Sequence, residues 1–350
     1  MKNDALRENF RRALNHYISS GIAEQIDYEK FYLYSLIVHS TAIEGSTVTE
    51  VEAQLLFDEG ITSSKRTMVE QLMNLDMRNA YFFGQDWIKR HPTITVDDLK
   101  KLSSKVMART GSEYNCAGGI FSSADGDLRK LNVTAGRGGK SYMSFLKVPY
   151  RLAEFCDALN RKRKNIDASD PIAVYELSFW AHLHLVNIHP WADGNGRMSR
   201  LLMNLIQMEF GVVPSKIHRD DKAEYIQALI GAEEREDDGV FIDKMFEIQA
   251  RHLDEEVNTF LTDTAASVVD KFILSSEICE KWTINAEKAS ILADIFIGMA
   301  DKAEFKTSDV AELMGISTTT AKRYIRMLVE YGYIRQEGAN KNRRYIPLLH

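Results

Sequence analysis

Between His189 and Arg200 the chain reads His-Pro-Trp-Ala-Asp-Gly-Asn-Gly-Arg-Met-Ser-Arg. One imidazole, one carboxylate, one amide, two glycines and two guanidiniums fall within this stretch. His189 changes charge near neutral pH, which suits a general base. Gly194 and Gly196 let the backbone turn left-handed and approach a ligand closely. Consecutive N–H groups in such a turn form an anion-binding nest, and a following helix adds its positive end to the same spot. Arg197 and Arg200, three positions apart, share one helix face. Two forked cations beside a nest suit a polyphosphate better than a single carboxylate. Asp193 offers the hard oxygen that a phosphate-bound Mg²⁺ requires. A lone Gly-Asn-Gly turn is usually only a turn, and a lone histidine usually structural; all these groups together are hard to explain as packing.

The elements that must hold this cluster are helical. An apolar pattern of helical period runs from about Pro171 to Val186, and a second from Met198 to Phe210, so the cluster lies on a turn between two buried helices. With 350 residues, 45% of them hydrophobic, the chain can bury two or three cores. Six prolines and a recurrence of apolar residues at three and four predict a mainly α protein with small β elements. No apolar run reaches the ~18 residues of a membrane span. The N-terminal ten residues do not have the composition of a signal peptide. Cys116, Cys156 and Cys279 are scattered and odd in number, which fits a reducing, cytoplasmic setting. A formal net charge of −6 argues against general nucleic-acid binding by the whole chain.

Upstream, residues 29 to 44 predict a helix stopped by Gly45, and a second helix starts at Thr49, which has capping-box spacing to Glu52 and a stop near Gly60. Glu44 sits where the helix dipole disfavours a carboxylate, so it wants a cationic partner. Residues 111 to 145 are glycine-rich. Within them Leu128, Arg129, Lys130, Leu131, Asn132, Val133 and Thr134 read as a short extended segment in a lid or binding loop. His182 and His184, two apart on a helix, point in different directions and read as packing or surface residues. Helical patterning continues from Asp220 to about Ile278, with a break near Lys281 to Asn285. The last ~65 residues read as helix, glycine turn, helix and hairpin, similar to a winged helix-turn-helix. From Thr318 onward seven basic residues (Lys322, Arg323, Arg326, Arg335, Lys341, Arg343 and Arg344) stand against Glu330 and Glu337, a local charge of +5. That balance suits nucleic acid, although winged helices also serve as dimer or partner modules.

The central stretch resembles the active-site motif of the Fic family, His-Pro-Phe-x-Asp/Glu-Gly-Asn-Gly-Arg-x-x-Arg, with Trp191 where phenylalanine is usual. The resemblance implies transfer of AMP from ATP to a hydroxyl side chain of a target protein. It makes His189 the base, Asp193 the Mg²⁺ ligand (with Mn²⁺ as an alternative), Gly194, Asn195 and Gly196 the hole for the α- and β-phosphates, and Arg197 and Arg200 the holders of the outer phosphates. Ser40 to Gly45 is similar to the family's inhibitory motif, Ser/Thr-x-x-x-Glu-Gly/Asn. By that likeness Ser40, Glu44 and Gly45 form an inhibitory helix end, and Glu44 pairs with Arg200 to obstruct the γ-phosphate. The segment from Leu128 to Thr134 corresponds to the family's target-docking flap, which clamps an extended target segment by strand addition.

The expected architecture is therefore mainly α: a Fic-type helical core with a small β-hairpin flap and a C-terminal winged helix-turn-helix. The expected divisions are 1–90 for the inhibitory region, 91–280 for the catalytic core and 286–350 for the winged helix. The expected function is an autoinhibited, Mg²⁺- and ATP-dependent protein adenylyltransferase acting on Ser, Thr or Tyr of a target or of itself. Two alternatives stay open: a metal-dependent hydrolase that removes AMP at the same site, and a DNA-binding regulator whose core is a ligand sensor. Expected partners are ATP, a target protein and DNA, the last through Lys322, Arg323, Arg326, Arg343 and Arg344; a homodimer is allowed.

Overall fold

A computed structural model describes residues 3–25, 27–134, 141–300, 302, 304–338 and 343–348, with backbone alone at 262–273, 276, 277 and 280. The chain divides into two compact units, Met1–Val257 and Asn258–His350.

The first unit holds helices α1 (Asp4–Ser19), α2 (Tyr28–Ile43), α3 (Glu50–Gln54), α4 (Met68–Ile88) and α5 (Val96–Val106). A hairpin of β1 (Glu113–Cys116) and β2 (Gly119–Ser122) follows, then α6 (Val148–Asn165), α7 (Pro171–Ile188), α8 (Asn195–Glu209), α9 (Lys222–Arg235) and the start of α10 (Asp238–Trp282). α7 is apolar on every side, as a helix in the middle of a core must be: Val174, Phe179, Ala181, Leu183 and Leu185 are buried. α8 packs beside it through Leu201, Leu202, Leu205 and Ile206. The two helices at the centre of the core therefore deliver the polar turn between them to the core's edge.

Three local features position the site. First, α8 begins at Asn195, three residues earlier than its apolar pattern suggests, with Gly194 as its N-cap at φ +81°. Asn195, Gly196 and Arg197 thus form the helix's first turn, whose N–H groups lack intrahelical partners. Second, α2 ends in a Schellman motif: Gly45 N–H donates to Ala42 O, Ser46 N–H donates to Thr41 O, and Gly45 takes φ +105°. Third, Thr49 and Glu52 make the expected capping box, and the following turns run to Gly60 in a π-helical segment.

The β-hairpin lies earlier in the chain than expected. β1 and β2 pair antiparallel, with Tyr114 stacked on Phe121 across the ladder. Residues 128–134 form no strand; their one ladder contact is an isolated bridge, Thr134 to Ser141. Their polar groups are engaged otherwise: Lys130 Nζ donates to Ile120 O, Cys116 Sγ to Lys130 O, and Phe145 N–H to Asn132 Oδ1.

In the second unit, α11 (Ala286–Met299), α12 (Thr307–Leu313) and α13 (Thr318–Glu330) precede the antiparallel hairpin β3 (Ile334–Glu337) and β4 (Arg344–Pro347). Gly315 at φ +60° makes the turn between α12 and α13, and Ser317 caps α13 through Thr320 N–H. Leu292, Val310, Ala321, Ile325, Leu328 and Tyr345 build its core. α10 ends at Trp282 and Thr283 is left-handed, a break in the helix near residues 281–285, whereas the compact units divide at Val257/Asn258.

Candidate active site

His189 is the C-cap of α7 and takes a left-handed conformation, φ 52° and ψ 61°, uncommon for a residue with a β-carbon. Its N–H donates to Leu185 O. Nδ1 lies 3.3 Å from Val186 O, so Nδ1 carries the proton and Nε2 presents its lone pair. Burial lowers its pKa to about 4, with the Val186 carbonyl, Asp193 and Glu44 opposing and the Arg129 cation assisting. At neutral pH the imidazole is unprotonated and ready to accept a proton.

The turn after it is locked from within. Asn195 Oδ1 accepts from Trp191 N–H at 3.0 Å, and Asn195 Nδ2 donates to Trp191 O at 2.9 Å. The Asn195 side chain is thus spent on the turn, and only its backbone is offered to a ligand. Trp191 is fully buried and donates Nε1–H to Gly126 O at 3.1 Å, a bond that phenylalanine at this position could not make. Gly194 is obligatory twice over: its φ is left-handed, and a β-carbon would meet Met107 Sδ at 2.6 Å. Asp193 Oδ1 accepts from Gly194 N–H, while the side chain stays 58% exposed.

The two arginines differ in a telling way. Arg197 is buried and donates Nη2 to Met107 Sδ, but its Nε and Nη1 have no hydrogen-bond partner among the described residues. Buried donors left so are rare and costly, and burial lowers this guanidinium's pKa. An anion is the partner such a group needs. Arg200 is satisfied: Nε donates to Ser40 Oγ at 3.0 Å, and Nη2 donates to Ser40 O at 2.9 Å and to Glu44 Oε1 at 2.6 Å. Burial pushes the Glu44 carboxyl up, yet the Arg200 cation outweighs it and the net shift is downward. Gly196 makes room for this pair, since a β-carbon there would stand 2.5 Å from Glu44 Oε1. Ser40 and Glu44 therefore meet the glycine turn at Arg200 and Gly196, and Gly45 ends the helix that carries them.

The flap residues fall differently. Arg129 is not free to meet a target: it is 2% exposed, with all three guanidinium nitrogens donating to backbone carbonyls. Leu128 and Leu131 are half-buried, while Lys130, Asn132 and Thr134 are exposed. Tyr142, which no sequence pattern singled out, stacks on the His189 ring at 3.8 Å between centroids and 17° between planes.

His182 is buried and bonded to the Tyr225 hydroxyl, and His184 bonds Asp238, in keeping with packing and surface roles. Another cluster, His218, Asp221 and His252, brings three donor atoms within 4.8 Å of one another. The His218 and His252 rings are stacked, 3.8 Å apart at 14°. A metal lies in the plane of each imidazole that binds it, so two near-parallel rings sharing one ion would have to be coplanar rather than stacked. The cluster is a hydrogen-bonded stack, closed by the 2.7 Å contact of His252 Nε2 with Asp221.

In the second unit Lys322, Arg323, Arg326 and Arg343 are exposed. Arg344 is exposed too, but its guanidinium pairs with Glu304. Lys341 lies outside the described residues. Among the described residues no helix is long and apolar enough to cross a membrane.

Residues 93–207 match the Fic/DOC family, and residues 299–338 match the IclR helix-turn-helix domain. Over 223 residues the chain is 27% identical to protein adenylyltransferase fic-1 of Caenorhabditis briggsae and 28% identical to that of Caenorhabditis elegans. Each match covers 63% of this chain and 40% of the relative, so the chain spans less than half the length of these curated relatives. Among solved structures, Fic-1 of C. elegans is similar with a TM-score of 0.54 at 24% identity, covering 73% of this chain and 71% of that one. A Fic family protein from Desulfovibrio desulfuricans G20 is similar with a TM-score of 0.61 at 19% identity, covering 98% and 96%. Likeness at these identities establishes the shared fold.

Proposed function

We propose that the chain, whose residues 93–207 match the Fic/DOC family, is a protein adenylyltransferase held in an autoinhibited state by Glu44. The carrying observation is the contrast between two neighbouring buried arginines. Arg197 has donors waiting for an anion, and Arg200 has one of its donors taken by a carboxylate from another helix.

In the proposed reaction the target hydroxyl gives its proton to His189 Nε2 and its oxygen attacks the α-phosphorus of ATP. The new P–O bond forms as the bond to the β-phosphate's bridging oxygen breaks, and pyrophosphate leaves. The first-turn N–H groups of α8 and the guanidinium of Arg197 bind the phosphates; Arg200 takes its share once Glu44 withdraws. An exposed carboxylate beside a polyphosphate suits Mg²⁺ or Mn²⁺, and Asp193 is the residue that would hold the ion. Bound there, such an ion would offset the negative charge of the phosphates.

The test uses ATP labelled on the α-phosphate with purified wild type, Glu44→Gly and His189→Ala. Label should appear on protein, faintly with wild type and strongly with Glu44→Gly. His189→Ala in the Glu44→Gly background should lower the rate by ~10²–10⁴ while nucleotide binding persists. Transfer at the undiminished rate without His189 would refute the assignment of the base. Release of AMP from a modified protein, without net labelling, would favour the hydrolase reading instead.

For the second unit we propose DNA binding through α13. Its match to a helix-turn-helix domain and its exposed Lys322, Arg323 and Arg326 support this reading. Arg343 adds a fourth exposed cation, whereas Arg344 contributes less because Glu304 already pairs with it.

A further inference from the structure

A left-handed histidine at a helix end persists only if its surroundings fix it there. The hydrogen bond from His189 N–H to Leu185 O closes the last turn of α7, but it does not orient the ring. The rest comes from the loop 60 residues upstream. Arg129 Nε donates to His189 O at 2.7 Å, and the Arg129 backbone N–H donates to Pro190 O at 2.9 Å. The same guanidinium reaches both limbs that flank residues 135–140: Nη1 donates to Leu131 O at 2.9 Å and Nη2 to Met143 O at 2.6 Å. Those limbs are joined by the Thr134–Ser141 bridge and by the bond from Tyr142 N–H to Val133 O. Tyr142, fixed by that bond, lays its ring on the His189 imidazole.

Among the described residues, the hydrogen bonds of the buried Arg129 cation all go to carbonyls. Burying a charge without a counter-ion is expensive, and desolvation lowers its pKa. A residue that served only to fill space would not be charged. What the guanidinium supplies is a rigid fork of donors that joins three backbone segments at one point.

We propose that Arg129 and Tyr142 are positioning residues for the His189 base, so that the order of the limbs around residues 135–140 and the aim of the imidazole form one unit. Arg129 fixes the backbone of His189 through its carbonyl; Tyr142 fixes the ring plane and shields one face from water. A target segment that docks along the limbs would bear on the same backbone that holds the base. This inference rests on the adenylyltransferase reading for its kinetic test, and it carries a second readout that does not.

The kinetic arm measures AMP transfer in the Glu44→Gly background, with Tyr142→Ala, Tyr142→Phe and Arg129→Lys added singly. Tyr142→Ala should lower kcat by ~10–100-fold, the scale of a misplaced catalytic group, with the KM for ATP changed less than about twofold because the phosphate-binding groups are untouched. Tyr142→Phe keeps the ring and should keep the rate. Arg129→Lys retains the charge but not the fork and should resemble Tyr142→Ala. The second arm follows the His189 imidazole by NMR titration, its resonance identified by loss in His189→Ala. Tyr142→Ala should raise the His189 pKa from its depressed value toward 6.5, and Tyr142→Phe should not. An unchanged titration and an unchanged kcat in Tyr142→Ala, in a protein folded by circular dichroism, would overturn the proposal. A Glu44→Gly parent that transfers no AMP would refute the adenylyltransferase reading alone and leave the titration to decide the positioning role.

Discussion

Glu44 Oε1 and Arg200 Nη2 lie 2.6 Å apart although 156 positions separate them in the chain. The arginine side chain is 4% exposed and the glutamate 36%, so the carboxylate reaches inward from the solvent edge to a buried cation. Ser40, on the same helix face four residues earlier, accepts from the same guanidinium. α2 therefore grips Arg200 with two side chains and a carbonyl, and only one of these contacts is ionic.

Removing the ionic contact should free Arg200 for phosphate without unseating it. Glu44→Gly should raise transfer by orders of magnitude with a smaller change in ATP affinity, since it corrects geometry more than it adds contacts. Glu44→Asp, one methylene shorter, should fall between. The double variant Glu44→Gly, Arg200→Ala should be slow again. Initial rates at saturating Mg²⁺·ATP, with calorimetric affinities beside them, test all three. Equal rates for wild type and Glu44→Gly would return Glu44 to the role of an ordinary helix-end residue.

The motif from His189 to Arg200 was legible because its chemistry is local: two glycines, a base and two cations on one turn need no tertiary information. The capping box at Thr49 and the helix stop at Gly45 were legible for the same reason. Two things were not. The segment from Leu128 to Thr134 reads as extended, but a strand needs a continuous partner, and here the backbone pairing with the returning limb is limited, among the described residues, to the Tyr142 N–H bond to Val133 O and the Thr134–Ser141 bridge. The apolar pattern of α8 begins three residues after the helix itself because Asn195 and Gly196 favour turns; the reciprocal bonds of Asn195 to Trp191 hold them in helical register. The burial of Arg129 had no local signal, since carbonyls brought together by folding create its site.

The basic face of α13 allows a test by salt. If Lys322, Arg323, Arg326 and Arg343 neutralise DNA phosphates, affinity should fall steeply with ionic strength, with a logarithmic slope of about −0.9 per phosphate contacted. Lys322→Gln, Arg323→Gln and Arg326→Gln should each flatten that slope, and Arg344→Gln should do so less because Glu304 already holds it. Fluorescence anisotropy with duplex DNA between ~50 and ~200 mM salt reads these slopes. No retention at the lowest salt would leave the second unit as a protein-interaction module.

Trp191 departs from the phenylalanine usual in the motif, and its indole compensates with a hydrogen bond to Gly126 O. Trp191→Phe should keep the chemistry, since neither His189 nor the glycine turn depends on the indole N–H. It should destabilise the first unit by ~1–3 kcal/mol, because the Gly126 carbonyl loses its indole donor in a buried place and a small void opens beside it. Thermal unfolding together with the AMP-transfer rate separates the two effects. A variant as stable as wild type would mean that the carbonyl finds another donor.

Acid should weaken the first unit in two distinct windows. Burial lowers the pKa of His182 to about 3, of His189 to about 4 and of His218 to about 3, against 6.5 in an unfolded chain. Between those values and 6.5 the unfolded state binds more protons than the folded one, so stability rises with pH there and is lost as pH falls below 6.5. Each imidazole contributes at most ~1.4 kcal/mol per pH unit. The carboxylates of Glu50 and Asp221, held at about 2, act lower: their contribution is present above the unfolded carboxylate range and falls away only as pH drops through it. Between pH 7 and pH 5 the decline should therefore be the histidines' alone. His182→Gln, which keeps a polar group toward the Tyr225 hydroxyl and cannot take up a proton, should make the midpoint of thermal unfolding less dependent on pH in that interval. A slope identical to that of wild type would mean that His182 is not protonated on unfolding under these conditions, and would leave His189 and His218 to account for the whole effect.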